Sequence, residues 1–304
     1  MVSYGNDTQA AETQSILQAL ERIKRMQDPD GFQTWLAAGS KRAEKEGLLT
    51  YLSRLVVYQN SRLSDLDAKE AALLKLADLV PLDQLDPEAL GQVGLMLTGH
   101  EPTKAEPFLA YLIEYYPKSA TRAMGYLGLA KLAFKEENFE GARALLDKAE
   151  GEVPAHPHMN EAKLLLGNVL SQLHEYDSSI ETFEKLLRLK SARGRPHAQA
   201  LAGIAQAHLG MENPEKASAY YQRIYNMYRA YPDLVSQAYL QSAQLFESMN
   251  RIPDAVNTLE EMLAETKLEA FPEWEFAKQK LEQLLPLMPK EENETPVPSH
   301  ATKD

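Results

Sequence analysis

Small residues followed four positions later by a large apolar one recur along the chain at a nearly constant interval. The small residues are Ala68, Ala105, Ala142, Ser179, Ala217 and Ala255, at spacings of 37, 37, 37, 38 and 38. From Ala105 onward the followers are Leu109, Leu146, Phe183, Tyr221 and Leu259. Four residues is a little over one helical turn, so each pair shares a helix face. A further register, Met96, Ala133, Leu170, His208 and Phe246, stands nine residues before each small residue from Ala105 on. Nine positions hold the end of one helix, a tight turn and the start of the next.

The predicted turns carry breaker or polar residues: Gly99 to Pro102, Glu136 to Asn138, His174-Glu175, Gly210 to Pro214 and Asn250 to Pro253. Stops between units fall at Pro81, Pro117, Pro154, Pro196, Pro232 and Pro272. The pattern therefore predicts helix, short turn, helix, longer connection, repeated. Strand-like alternation is nowhere sustained. Ahead of the repeats, Ile16, Leu20 and Ile23 give an amphipathic helix, with Trp35-Leu36 anchoring the connection after it. After them, Trp274, Ala277, Leu281, Leu284 and Leu285 make one apolar stripe, while Gln279, Lys280 and Gln283 hold the positions where another unit would dock. The expected organisation is N-terminal capping helices over 1–48 and about six units over 49–271, with 49–85 degenerate. A C-terminal capping helix over 272–288 and a tail over 289–304 too poor in apolar residues to fold complete it.

Composition narrows the functions. With 304 residues, 44% of them hydrophobic, the chain can bury a substantial core. The net charge of -12 repels phosphate backbones, so neither nucleic acid nor an anionic membrane is an expected partner. The absence of cysteine removes disulfides, thiol nucleophiles and thiolate metal sites together. No apolar stretch approaches the ~18 residues that span a bilayer, and Met1 to Thr8 lacks the layout of an export signal. The default expectation is a cytoplasmic location, or a periplasmic one if a signal has been removed.

Candidate chemistry is sparse. There is no phosphate-binding glycine loop, no HExxH and no nucleophile elbow. His156 and His158 flank a proline as a metal pair would, but no third ligand accompanies them at a recognisable spacing. His100 and His174 fall in equivalent turns and read as exposed, while His208 reads as a core-edge packing residue. Tyr221, Tyr225 and Tyr228, within a tyrosine-rich run from Tyr220 to Tyr231, repeat at the spacing of one buried face. No catalytic residue, cofactor or metal is expected, and the chain is not read as an enzyme.

Ala123 to Pro154 resembles a tetratricopeptide repeat, with Leu129-Ala130, Phe139, Ala142, Leu146, Ala149 and Pro154 at the family's positions. The next unit matches through Leu166-Gly167, Leu170, Tyr176, Ser179 and Phe183. The third matches through Ile204-Ala205, Ala217 and Tyr221, and the fourth through Ala243, Phe246, Ala255 and Leu259. The likeness extends over 86–270 and is weak over 49–85, where Lys75 stands at a usually small position. The family's unit is about 34 residues long, so the extra residues belong after the second helix, as in the long-period bacterial, envelope-associated type that the chain resembles.

The resemblance implies an all-α, right-handed α-solenoid of helix-turn-helix units whose first helices line a concave groove for a partner peptide or helix. Counting units from Ala123, Asn160, Ala198 and Ser236, the ninth position reads Lys131, Asn168, Gln206 and Gln244. Lys135, Gln172 and Gln241 neighbour them. Such amide and ammonium groups can donate to peptide carbonyls and carboxylates. The carboxylate clamp of the chaperone-type subfamily is not reproduced, because Leu127 and Leu164 occupy its fifth position. The expectation is a non-catalytic adapter or scaffold for a protein partner. The alternative is a self-associating assembly protein, a homo-oligomer within a larger, cell-envelope complex.

Overall fold

The computed structural model describes residues 49–61 and 65–289. The expectations for residues 1–48 and 290–304 lie outside the described residues. By internal packing the chain divides into two compact units, 1–169 and 170–304.

In the first unit, α1 (Leu49–Asn60), α2 (Leu66–Leu79), α3 (Pro87–His100), α4 (Pro102–Tyr115), α5 (Arg122–Lys135) and α6 (Phe139–Glu152) follow one another. They lead into α7 (Met159–Gln172), within which the division falls. The second unit continues with α8 (Tyr176–Leu187), α9 (Arg195–Gly210), α10 (Pro214–Met227), α11 (Pro232–Ser248), α12 (Ile252–Ala264) and α13 (Pro272–Leu284). No strand occurs among the described residues.

The periodic positions form the core. Ala105, Ala142, Ser179, Ala217 and Ala255 are fully buried, and so are Leu109, Leu146, Phe183, Tyr221 and Leu259 beside them. The reason is steric. Leu109 of α4 is wedged between Gly94 of α3 and Gly128 of α5, where an added Cβ would stand 2.5 and 2.6 Å from its methyl carbons. In the second unit the Phe183 ring fills the space over Gly203 of α9 in the same manner. Leu109 and Phe183 thus each lock a hairpin to the next first helix, which stacks hairpins within each unit. Ala68, at the start of the series, is only half-buried, in keeping with a degenerate first hairpin.

Inside the hairpins from α5 onward the turns are alike. Glu137, His174, Glu212 and Asn250 adopt φ of 59°, 60°, 56° and 57°, at spacings of 37, 38 and 38. In each, the following amide donates back five residues: Asn138 N to Ala133 O at 2.9 Å, Glu175 N to Leu170 O at 2.9 Å, Asn213 N to His208 O at 2.9 Å and Arg251 N to Phe246 O at 2.8 Å. This left-handed cap satisfies carbonyls that the helix end would leave open. His100 departs from its expected equivalence with His174. It ends α3, one residue before α4, and pairs with Glu70 at 3.0 Å.

The connections between hairpins are longer and unequal, and three contain short 3-10 turns, Leu82–Gln84, Lys190–Ala192 and Thr266–Leu268. At α10–α11 the connection is short, and the extra length instead extends α11 to 17 residues. A Tyr–Glu bond recurs across hairpins: Tyr126 OH donates to Glu152 at 2.8 Å, and Tyr239 OH donates to Glu265 at 3.3 Å. Tyr221 and Tyr225 are buried and Tyr228 half-buried, with Tyr225 stacked on Tyr239 at 3.9 Å. Of the apolar stripe on α13, Ala277 and Leu284 are buried, whereas Leu285 leaves the stripe as an exposed residue at the start of a 3-10 turn. Lys280 turns back to pair with Glu247 at 2.8 Å.

Candidate protein-binding face

First helices carry the candidate residues, and the two units treat them differently. In the first unit Lys131 of α5 is half-buried and ion-paired with Glu161 of α7 at 2.5 Å. His158 Nδ1 lies 3.3 Å from the same carboxylate. The His158 and Lys131 contacts outweigh burial and hold the Glu161 carboxyl down to about 2. Lys135 is exposed, but its Nζ donates to Thr98 O at 2.6 Å. Both ammonium groups, expected as open donors, are therefore occupied inside their own unit. Asn168 is exposed.

In the second unit Gln172, Gln206, Gln241 and Gln244 are all exposed. Gln241 and Gln244, one turn apart on α11, join through Nε2–H···Oε1 at 3.3 Å. An amide linked this way retains one carbonyl lone pair and further N–H groups for a ligand. Helices α9 and α11 touch one another, so Gln206 and the α11 pair sit on neighbouring first helices. Gln199 and Gln237, seven residues before Gln206 and Gln244, are exposed as well. Sequence reasoning passed over them, although seven residues is close to two turns and puts each in the same register. Together they make an uncharged, amide-rich face.

The histidines divide as follows. His156 and His158 stack at 5.4 Å, with His158 directed to Glu161. Among the described residues no three His, Asp or Glu side chains converge as a metal site requires. His174 is exposed and hydrogen-bonds Tyr176 OH at 2.7 Å. His208 is buried against Tyr220, its ring 5.5 Å away, and burial lowers its pKa. Among the described residues no helix is long and apolar enough to cross a membrane.

A family model for the tetratricopeptide repeat matches residues 159–230. No curated protein sequence matches the chain. Among solved structures, yeast Tom70 is similar at a TM-score of 0.54 and 16% identity, over 92% of this chain and 61% of that one. A signal-transduction ATPase with numerous domains and a tetratricopeptide-repeat sensor, from Pyrococcus horikoshii, is similar at 0.59 and 15%, over 94% and 50%. A Rap protein complexed with competence and sporulation factor is similar at 0.57 and 11%, over 89% and 80%. The chain thus spans 61% and 50% of the length of the first two. At these identities the likeness is one of fold, and it is a fold that in general serves protein–protein interaction. With the family's own pattern on residues 159–230 and similar hairpin geometry before and after them, the chain has a tetratricopeptide-like repeat fold.

Proposed function

We propose that the chain is a non-catalytic adapter or scaffold that holds a partner peptide or helix against the exposed face of its first helices. The observation that carries this is the amide face of the second unit, Gln206, Gln241 and Gln244 on touching helices α9 and α11. Repeated amides spaced along a stack match the repeating N–H and C=O groups of an extended chain. Gln172 extends that face, and Asn168 offers the same chemistry in the first unit. Lys131 and Lys135 serve as struts rather than as ligands.

Crosslinking in the native cell followed by mass spectrometry supplies the partner. Replacing Gln206, Gln241 and Gln244 together by Ala then tests the face. Each lost hydrogen bond is worth about 0.5–1.5 kcal/mol, so affinity should fall roughly tenfold to a thousandfold. Folding should hold, because Ala is the best helix former at exposed positions. Undiminished binding by the folded triple variant moves the site elsewhere.

A second reading, self-association, draws on Phe276 and Leu287, which are 59% and 61% exposed at the C-terminal end of the described chain. It requires a defined oligomer by light scattering without added partner, dissociated by Phe276→Glu. A monomer at all concentrations rules it out.

A further inference from the structure

We propose that the first unit holds a pocket for one residue of an extended peptide, with an apolar side chain against Leu73, Leu95 and Met124 and a backbone N–H received by Asn60. A cavity of about 330 Å³ lies there, lined also by Lys69 and Gln92. Its size is at the lower end of ligand pockets, room for a single residue rather than a cofactor. Asn60 is only 4% exposed, and its Nδ2 donates to Lys69 O at 3.1 Å. That bond fixes the amide, since only the nitrogen can donate, and leaves Oδ1 as the spare end. Among the described residues Oδ1 finds no hydrogen-bond partner, and it is closed to bulk solvent.

A buried acceptor without a donor is costly, and beside a cavity it marks the chemistry of the missing group. The ligand must bring an N–H. Reaching Oδ1 requires the wall to yield, and Met124 is its unbranched, most adaptable apolar member. Lys69 makes no ion pair among the described residues, so its ammonium disfavours a charged amine and favours a carbonyl oxygen in the same ligand. An N–H, a C=O and an apolar side chain together describe an internal residue of an extended peptide. The proposal rests on the protein-binding reading but not on the amide face of the second unit.

The test uses a probe rather than the partner. N-acetyl-leucine-N′-methylamide is titrated into the full chain carrying 13C-methyl methionine, with the Met124 resonance assigned by substitution. The Met124 methyl should shift saturably, in the millimolar range expected for so small a ligand. The analogue methylated at both nitrogens, which has no N–H, should bind about fivefold or more weakly. Leu95→Trp and Gln92→Phe, both at partly exposed wall positions, should each fill the cavity and abolish the shift while melting like the parent. If one variant misfolds, the other decides. No shift up to the solubility limit, equal binding of the methylated analogue, or binding that persists in a folded filled variant overturns the pocket. None of these results touches the triple-glutamine test, so the two readings fail separately.

Discussion

Glu161 shows how one side chain can settle the role of another. Its carboxylate takes both the Lys131 ammonium and the His158 ring, so the ninth-position lysine, which looks like an open donor in the sequence, braces α5 to α7. Nothing in the spacing could reveal this, because Glu161 belongs to the first helix of the following hairpin. The carboxyl is held at about 2, below its unfolded value. A depressed carboxylate stabilises the fold above the unfolded pKa, near 4.3, and that contribution fades as pH falls toward 2. The melting difference between parent and Glu161→Gln should therefore be largest above pH 5 and shrink on acidification; a constant difference would remove the linkage. Close packing was more legible than charge pairing. Phe183 stands at the repeating large position, and its ring leaves no room for a Cβ at Gly203. Gly203→Leu should cost about 1–3 kcal/mol by overpacking, read as a lower denaturation midpoint, and a parent-like midpoint would mean that the ring can leave.

At the scale of helices and turns, the hairpins follow from the interval of 37 or 38 residues because burial of the small and large apolar positions is what holds them. The turn conformation was hidden. Left-handed backbone is ordinarily betrayed by Gly, or by Asn, Asp or His; His174 and Asn250 fit that rule, whereas Glu137 and Glu212 do not. At Glu137 and Glu212 the cap is held by its backbone hydrogen bonds on residues that do not favour it. Relief of the left-handed penalty is worth about 1–2 kcal/mol, and glycine's extra unfolded freedom takes back about 0.5–1. Glu212→Gly should accordingly stabilise by up to about 1.5 kcal/mol on those scales, measured by chemical denaturation. A loss of stability would show that the Glu212 side chain contributes more than the backbone costs. The helix ends were legible only in part. Proline stops mark α11 and α13 well, but Leu285, apolar and in register, leaves its helix for an exposed 3-10 turn.

For the whole molecule, net charge and candidate site point in different directions. The chain carries -12, yet the glutamine face of the second unit is neutral. Binding through amides should weaken little between low and moderate salt, because screening acts on charges and not on neutral hydrogen bonds. A steep salt dependence measured with the crosslinked partner would assign recognition to charged residues instead. The fold class was legible because each repeat reports it again. The proposed binding face was legible only as register, since exposure and pairing depend on neighbours far away in the chain.

The unequal joints of the stack also decide how such a chain comes apart. Turns within hairpins from α5 onward are short and hydrogen-bonded alike, whereas the links between hairpins vary and expose basic residues such as Lys190, Arg193 and Lys267. A protease specific for basic residues should therefore nick between hairpins and spare the turns inside them. Cuts at Arg193, Arg229 and Lys267 would release the α9–α10 and α11–α12 hairpins as separate fragments, while the link at 153–158, which holds no Lys or Arg, would stay whole.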